Sequence, residues 1–309
     1  MAQIAVAAAI GAGFGLIRRR PLAVLAWGGV AAIMHALAVV LIGPMYLGLI
    51  SAVFHAAQSR SGPPDFSAFA PQAAQLQGLI QLLNLANLLV GATIYCAVFR
   101  AVLHPERSTF AYLRLGAPEL FAAALIFGLG VAVVVALVIV MIPVAILIGI
   151  TVAATHAGAA ALVLLPIIML AAFVGAAVIA LRFAFVGPMI VDDGKFHLME
   201  SWELTRGRVG SLFLVGLGLF GLALLLETVL LAILVGVGAA ALAAVAGGLQ
   251  NVPALLQRPP QELLADAAPF LGLYVLLVIP VSGCFFAIFG APWARAYRDL
   301  KPDASEAFA

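Results

Sequence analysis

The chain has 309 residues, of which 65% are hydrophobic and only 9% carry a charged side chain. A soluble domain has roughly 25% charged residues, so the composition excludes a soluble fold and indicates an all-α integral membrane protein. The formal net charge of +2 means little as a sum; the distribution of the charges is a signal of membrane topology rather than of nucleic-acid binding. The two cysteines, Cys96 and Cys284, lie in apolar runs and show neither metal-ligand spacing nor a disulfide framework.

The first apolar stretch, residues 1–17, is followed by Arg18, Arg19 and Arg20. A signal peptide carries its positive charge before the apolar stretch, so this order argues against a cleaved signal. The stretch is also short for a span, which needs about 20 residues. We predict a helix that lies in the cytoplasmic interface of the membrane.

Six longer apolar runs follow, and each is long enough to span a bilayer. They cover residues 22–57, 77–99, 120–152, 158–181, 211–247 and 268–292. We therefore predict one polytopic membrane domain, residues 1–309, with six transmembrane helices.

Three of these runs are longer than a span requires, and the excess lies on the side opposite to the arginine-rich loops. The first contains Pro44, where a helix is expected to kink or end. The third contains Pro143, and the fifth ends in the Gly- and Ala-rich stretch Gly236–Gly248. The outer helix ends either project beyond the bilayer or fold back into it. We favour projection or an outer cap, because residues 58–76 and 248–267 are rich in Pro and Gln and could close over these ends.

The basic residues lie almost entirely on one side of the predicted spans. Of the 15 Lys and Arg residues, only Arg60 and Arg258 map to the opposite face. Because cytoplasmic loops retain Lys and Arg, this asymmetry predicts that both termini are cytoplasmic. The three tryptophans, Trp27, Trp202 and Trp293, map near the cytoplasmic boundary, which is typical of interfacial anchors.

A weak internal repeat is visible at the cytoplasmic entries to the spans. Residues 14–25 (FGLIRRRPLAVL) align without gaps with residues 202–213 (WELTRGRVGSLF), and residues 110–114 (FAYLR) are a looser third copy. The pattern predicts three units, each an interfacial helix followed by a helical hairpin. The alternative is that any cytoplasmic entry to a span collects an arginine and an aromatic residue.

Four polar residues map to one layer inside the spans. At about 1.5 Å per residue, Glu227 lies roughly 24 Å and His35 roughly 20 Å from the cytoplasmic end of its span. Asn84 and Asn87 come out at a similar depth, roughly 20–24 Å. A carboxylate inside a membrane is costly unless it is paired or protonated, so Glu227 is a functional candidate that could share a proton with His35. Alternatively, these side chains are hydrogen-bonding glue between helices, or Glu227 faces the outer interface.

Five arginines form a predicted basic collar at the inner leaflet, namely Arg18, Arg19, Arg20, Arg206 and Arg208. Such a collar would bind the anionic headgroups of membrane lipids. The alternative is that the topology rule alone accounts for these charges.

A polar segment between the fourth and fifth runs offers a different chemistry. On a helix, Asp193, His197 and Glu200 would share one face, and this combination is a possible metal set. The Asp-Gly dipeptide after Asp192 instead indicates a turn, and Asp193 could cap the helix that follows. We favour the turn and cap, and we predict no metal site.

One stretch of the chain carries a family resemblance. It consists of Pro188, preceded by Val186 and Gly187, and then Ser201, Trp202, Glu203, Leu204, Thr205, Arg206 and Gly207. This pattern resembles the signature of a bacterial family named for the membrane portion of glycerophosphoryl diester phosphodiesterase. The resemblance implies a six-span protein of the bacterial inner (plasma) membrane, usually of unassigned role. It does not imply the phosphodiesterase activity, which belongs to a separate soluble domain.

No nucleophile–base set, phosphate-binding glycine loop or zinc pattern stands out in the sequence, so we expect no enzyme activity, catalytic residue or cofactor. The favoured function is that of an inner-membrane protein that organises a membrane complex or handles lipid at the inner leaflet. The alternative is a small carrier or flippase that uses the layer around Glu227. An intramembrane enzyme is the least favoured. Small residues such as Gly216, Gly218, Gly221 and Gly283 indicate close helix packing, within the chain or in a homo- or hetero-oligomer.

Overall fold

The computed structural model describes residues 4–58, 70–106, 108–155, 158–247, 254 and 258–301, and no strand occurs among them. Nine helices are described, with a short turn, Thr109–Tyr112, between the third and fourth. The helices are α1 (Val6–Arg19), α2 (Pro21–Gln58), α3 (Ala70–Leu103), α4 (Ala117–Thr155), α5 (Gly158–Arg182), α6 (Val186–Asp193), α7 (Leu198–Leu204), α8 (Val209–Ala246) and α9 (Pro260–Leu300).

Six of these helices are long and apolar enough to cross a membrane, namely α2, α3, α4, α5 with its continuation into α6, α8 and α9. Their exposed surfaces are largely aliphatic, as lipid-facing surfaces must be. A helix also satisfies its own backbone hydrogen bonds, which no water can do inside a bilayer. The predicted all-α fold with six long apolar helices is therefore confirmed.

The over-long runs are continuous helices. Helices α2 and α8 have 38 residues each and α4 has 39. At about 1.5 Å per residue they are roughly 57 Å long, about twice the thickness of a hydrocarbon core. Helix α2 passes through Pro44 and α4 through Pro143, so of the two outcomes expected at Pro44, a kink or an end, the structure excludes the end. A break there would leave further backbone groups unpaired in an apolar solvent, whereas a proline inside the helix removes one hydrogen bond.

About half of the predicted outer cap, residues 59–69, 248–253 and 255–257, lies outside the described residues. Most of its described residues are helical, because α3 begins at Ala70 and α9 begins at Pro260. These residues extend two spanning helices rather than forming a separate cap.

The chain divides into two compact units. The first consists of Met1–Gly15, Ala92–Gly218 and Ile288–Ala309, and the second consists of Leu16–Gly91 and Leu219–Ala287. The core of the first unit includes Phe185 and Ile190, both fully buried. There, α6 packs so closely that a Cβ at Gly187 would lie 2.8 Å from the ring of Phe99.

In the second unit, α2 and α9 cross in backbone contact. A Cβ at Gly28 would overlap the carbonyl oxygen of Ile279, and a Cβ at Gly283 would overlap the carbonyl oxygen of Val24. Both glycines are therefore required by the close approach of the two helices. Beside this crossing, Trp27 is 0% exposed, so this tryptophan is a packing residue and its prediction as an interfacial anchor is wrong.

The segments before the spanning helices at their arginine-rich ends differ from one another. Helix α1 is a separate helix, as predicted for the N-terminal stretch, and α7 is a shorter one before α8. The third copy of the predicted repeat forms no such helix. Phe110, Ala111 and Tyr112 have φ values of 50°, 53° and 64°, which place them in the left-handed region.

Candidate functional site

The second unit contains a groove of about 480 Å³ that His35 and Glu227 both line. Tyr274 and Ser282 of α9 supply two more polar groups, and the other six lining residues are all leucine or valine. We call this site the His35–Glu227 groove. Its volume falls in the range of small-molecule pockets, about 300–1,000 Å³, and its walls combine an apolar majority with a few polar groups.

The crossing of α2 and α9 at Gly28 and Gly283 explains why His35 and Ser282 line one groove. His35 follows Gly28 by seven residues, or about two turns, and therefore lies on the face of α2 that Gly28 turns toward α9. Ser282 is adjacent to Gly283 on α9. The groove thus lies beside the contact between the two helices, and Glu227 of α8 also lines it.

The ring of His35 has one nitrogen engaged. Its Nδ1 lies 2.8 Å from the carbonyl oxygen of Ala31, one turn earlier on α2. A carbonyl oxygen only accepts, so Nδ1 carries the proton in this contact. In the neutral ring Nε2 is then an acceptor, and in the protonated ring it becomes a second donor.

The carboxylate of Glu227 has no hydrogen-bond or ion-pair partner among the described residues. Its side chain is exposed, as is that of His35. On helices that cross a bilayer, an exposed carboxylate without a partner is unfavourable by several kcal/mol as a rough guide. A polar ligand in the groove would relieve this cost.

The predicted amides do not join this site. Asn84 and Asn87 are exposed on α3 and are not among the residues that line the groove. Neither amide hydrogen bonds to another described residue, so the structure gives no support to their alternative role as glue between helices. Depth along a helix was predictable, but the direction in which each side chain points was not.

The residues that carry the family resemblance form the connection from α5 to α8. The hydroxyl of Ser201 donates to the carbonyl oxygen of Arg182 at 2.9 Å, and Trp202 stacks on the Arg182 guanidinium at 4.9 Å. Thr205 is fully buried and donates to the carbonyl oxygen of Trp202. Gly207 has a φ of 75°, which permits the turn into α8.

The other residues of this pattern have simpler positions. Pro188 is fully buried in α6, Leu204 is half-buried at the end of α7, and Arg206 is exposed. The contacts of Ser201, Trp202 and Thr205 and the turn at Gly207 thus give the pattern a packing and turn role in this connection.

The five arginines of the predicted collar fall in different units. Arg18, Arg19 and Arg20 are exposed at the end of α1, in the second unit. Arg206 and Arg208 belong to the first unit, where Arg208 is half-buried and donates to the carbonyl oxygen of Leu204 at 3.0 Å. Arg206 and Arg208, two residues apart, thus have different surroundings.

The turn predicted around Asp193 is present. Its carboxylate accepts a hydrogen bond from the backbone N–H of Lys195 at 2.9 Å, and Gly194 between them has a φ of 76°. Asp193 does not cap α7, whose N-cap position is His197. Among the described residues, no group of three or more Asp, Glu, His or Cys side chains is assembled to hold a metal ion.

A buried ion pair was missed by the sequence analysis. The carboxylate of Glu119 at the start of α4 pairs with the guanidinium of Arg100 at the end of α3, and Glu119 is only 2% exposed. Arg100 also donates to the carbonyl oxygen of Tyr112 at 3.2 Å. The available signal was an acid at the start of a very apolar span, preceded in the chain by the arginine that ends the previous span.

Comparison with known proteins adds no relative, because no family model, curated protein or solved structure matches the chain. The geometry of the sites is therefore the basis of the functional argument.

Proposed function

We propose that this multi-span membrane protein handles lipid, and that the His35–Glu227 groove admits the polar part of an amphipathic lipid. The observation that carries the proposal is a single groove that combines Glu227, His35, Tyr274 and Ser282 with aliphatic walls. In keeping with the charge asymmetry and the motif resemblance, we place the protein in the bacterial inner membrane with both termini cytoplasmic.

The lining chemistry favours a lipid over a small hydrophilic solute. Six of the lining side chains are aliphatic, so a solute would lose much of its hydration against walls that offer no hydrogen bonds. A lipid would place its hydroxyl, amine or phosphate against the four polar side chains and leave its acyl chains along the leucines. The proposal needs no bond in the lipid to be broken, because binding alone gives the polar side chains of the groove their hydrogen-bond partners.

A tryptophan that fills the groove tests this proposal. Leu277 lines the groove, whereas its neighbour Leu276 does not and is 65% exposed. We expect Leu277→Trp to lower the amount of lipid retained by the purified protein about tenfold, as a loss of 1.4 kcal/mol of binding would. Native mass spectrometry of the detergent-solubilised protein measures the retained lipid.

Leu276→Trp is the matched control, because it adds the same ring one position away on a surface outside the groove. It should retain lipid as the unaltered protein does. Equal retention by both variants would show that the lipid does not sit in the groove.

A second candidate function, lipid translocation, is favoured by the presence of two titratable side chains in one groove. An acid and an imidazole at one membrane site suit a carrier that couples movement to protons.

If the protein is such a flippase, Glu227→Gln in proteoliposomes should abolish the response of fluorescent-lipid translocation to a pH gradient. Asn87→Gln, outside the groove, should leave it unchanged. A gradient response that survives Glu227→Gln rejects coupling through this residue.

A further inference from the structure

The first unit contains a separate cavity of about 510 Å³ whose lining is dominated by charge. It has four carboxylates, from Asp192, Asp193, Glu200 and Glu203, and two cations, from Arg208 and Lys301. We call it the Asp192 cavity. All of its lining residues belong to the first unit, so it is distinct from the His35–Glu227 groove.

One wall of the cavity is neutralised by the protein itself. The carboxylate of Asp192 pairs with the ammonium of Lys301 and accepts a hydrogen bond from the hydroxyl of Tyr297 at 3.0 Å. Its other oxygen lies 3.4 Å from Nε2 of His104. Asp192 therefore joins α6 to the ends of α3 and α9 and has little capacity left for a ligand.

A second pair of carboxylates is also engaged. His197 lies between them, with Nε2 at 2.8 Å from Asp193 and Nδ1 at 2.9 Å from Glu200. Each ring nitrogen of His197 thus faces one carboxylate oxygen, and Asp193 and Glu200 are each engaged by one of these nitrogens.

Two opposite charges remain available to a ligand. The carboxylate of Glu203 has no hydrogen-bond or ion-pair partner among the described residues, and Arg208 uses one guanidinium nitrogen on the carbonyl oxygen of Leu204. The two side chains line the same cavity without pairing with each other. An unpaired carboxylate and an unpaired guanidinium facing one cavity match a ligand that carries both charges.

We propose that the Asp192 cavity binds a zwitterion with an ammonium and a phosphate, as in a phosphoethanolamine group. Glu203 would accept hydrogen bonds from the ammonium, and the planar guanidinium of Arg208 would donate to the phosphate. The source is either an aminophospholipid headgroup or a free phosphoamine. Trp202, next to Glu203 and 41% exposed, is typical of a site at the membrane–water interface.

Headgroup selectivity tests the site. The full-length protein is purified in detergent and titrated with phosphatidylethanolamine, phosphatidylcholine and phosphatidylglycerol, with bound lipid measured by native mass spectrometry. We expect phosphatidylethanolamine to bind about tenfold more tightly than the other two. The charge-assisted hydrogen bonds from its ammonium to Glu203 would account for this difference. Phosphatidylcholine keeps the positive charge but has no N–H, and phosphatidylglycerol has no amine.

Two variants separate the roles of the charges. Glu203→Gln should remove the preference for phosphatidylethanolamine while leaving phosphatidylglycerol binding unchanged. Arg208→Gln should weaken all three lipids about tenfold, because all carry the phosphate, and Arg208→Lys should restore part of the binding. Displacement of bound lipid by free phosphoethanolamine would identify the soluble source, and lipid binding without such displacement would identify the headgroup.

Arg206→Gln is the matched control, because Arg206 is an exposed arginine two residues from Arg208 that does not line the cavity. It should bind lipid as the unaltered protein does. The proposal is overturned if Arg206→Gln and Arg208→Gln weaken binding equally, which would indicate a surface collar. It is also overturned if the three lipids bind equally well. Thermal unfolding of each variant without added lipid shows whether it is folded.

Discussion

Gly28→Ala is expected to destabilise the protein by about 3 kcal/mol, a large effect for the addition of one methyl group. The new Cβ would overlap the carbonyl oxygen of Ile279, which belongs to the backbone of α9 and cannot rotate away. The overlap can be removed only if α2 and α9 move apart at this crossing. Because Gly283 meets the carbonyl oxygen of Val24 in the same crossing, Gly283→Ala should have a similar effect.

Two neighbouring glycines provide matched controls. A Cβ at Gly29, or at Gly272 of α9, would meet nothing within 4 Å. Alanine there should be neutral or stabilising by up to about 1 kcal/mol, because alanine is the better helix former. The measurement is the unfolding midpoint in detergent, followed by tryptophan fluorescence. Equal midpoints for Gly28→Ala and Gly29→Ala would show that α2 and α9 do not cross at Gly28.

The same substitution connects the fold to the proposed lipid groove. His35 lies about two turns beyond Gly28 on the same face of α2, so separating the helices moves it away from Tyr274 and Ser282. At temperatures where Gly28→Ala remains folded, its lipid retention should therefore fall along with its stability. The crossing and the groove are two consequences of one close helix contact.

The spanning helices could be predicted from the sequence because lipid imposes a simple rule. A helix surrounded by lipid is apolar on all sides, so its hydropathy marks it without any knowledge of its neighbours. Even the prolines followed this rule, since Pro44 and Pro143 remain inside continuous helices. Trp27, which is buried beside the Gly28 crossing, did not follow the interfacial pattern, because packing between helices rather than lipid sets its surroundings.

The groove could be predicted only in part. Counting residues along each span placed Glu227 and His35 at similar depth, and the structure places both in one groove. The same count included Asn84 and Asn87, which lie elsewhere, because depth does not specify the face of a helix. Tyr274 and Ser282 were missed because tyrosine and serine residues are common in apolar runs. Gly283 indicated close helix packing, but the sequence did not show that its partner helix is α2.

Removing one partner of the buried ion pair is the second large effect that we expect. Glu119→Leu should destabilise the protein by about 3–5 kcal/mol, because it leaves the Arg100 guanidinium buried without its counter-charge. Only 11% of the Arg100 side chain is exposed, so water cannot replace the carboxylate. The loss should spread to the turn before α4, where Arg100 holds the carbonyl oxygen of Tyr112 and the hydroxyl of Tyr112 donates to Pro105.

The double variant Arg100→Leu/Glu119→Leu separates the charge from the packing. It removes both buried charges, so most of the lost stability should return, as found when buried pairs give way to apolar side chains. Asp266→Ala is the comparison for an exposed pair, since Arg258 and Asp266 are 3.2 Å apart with both side chains 49% exposed. It should cost less than about 1 kcal/mol. Unfolding midpoints in detergent rank the variants, and a Glu119→Leu midpoint no lower than that of Asp266→Ala would mean that the Arg100–Glu119 pair does not hold α3 to α4.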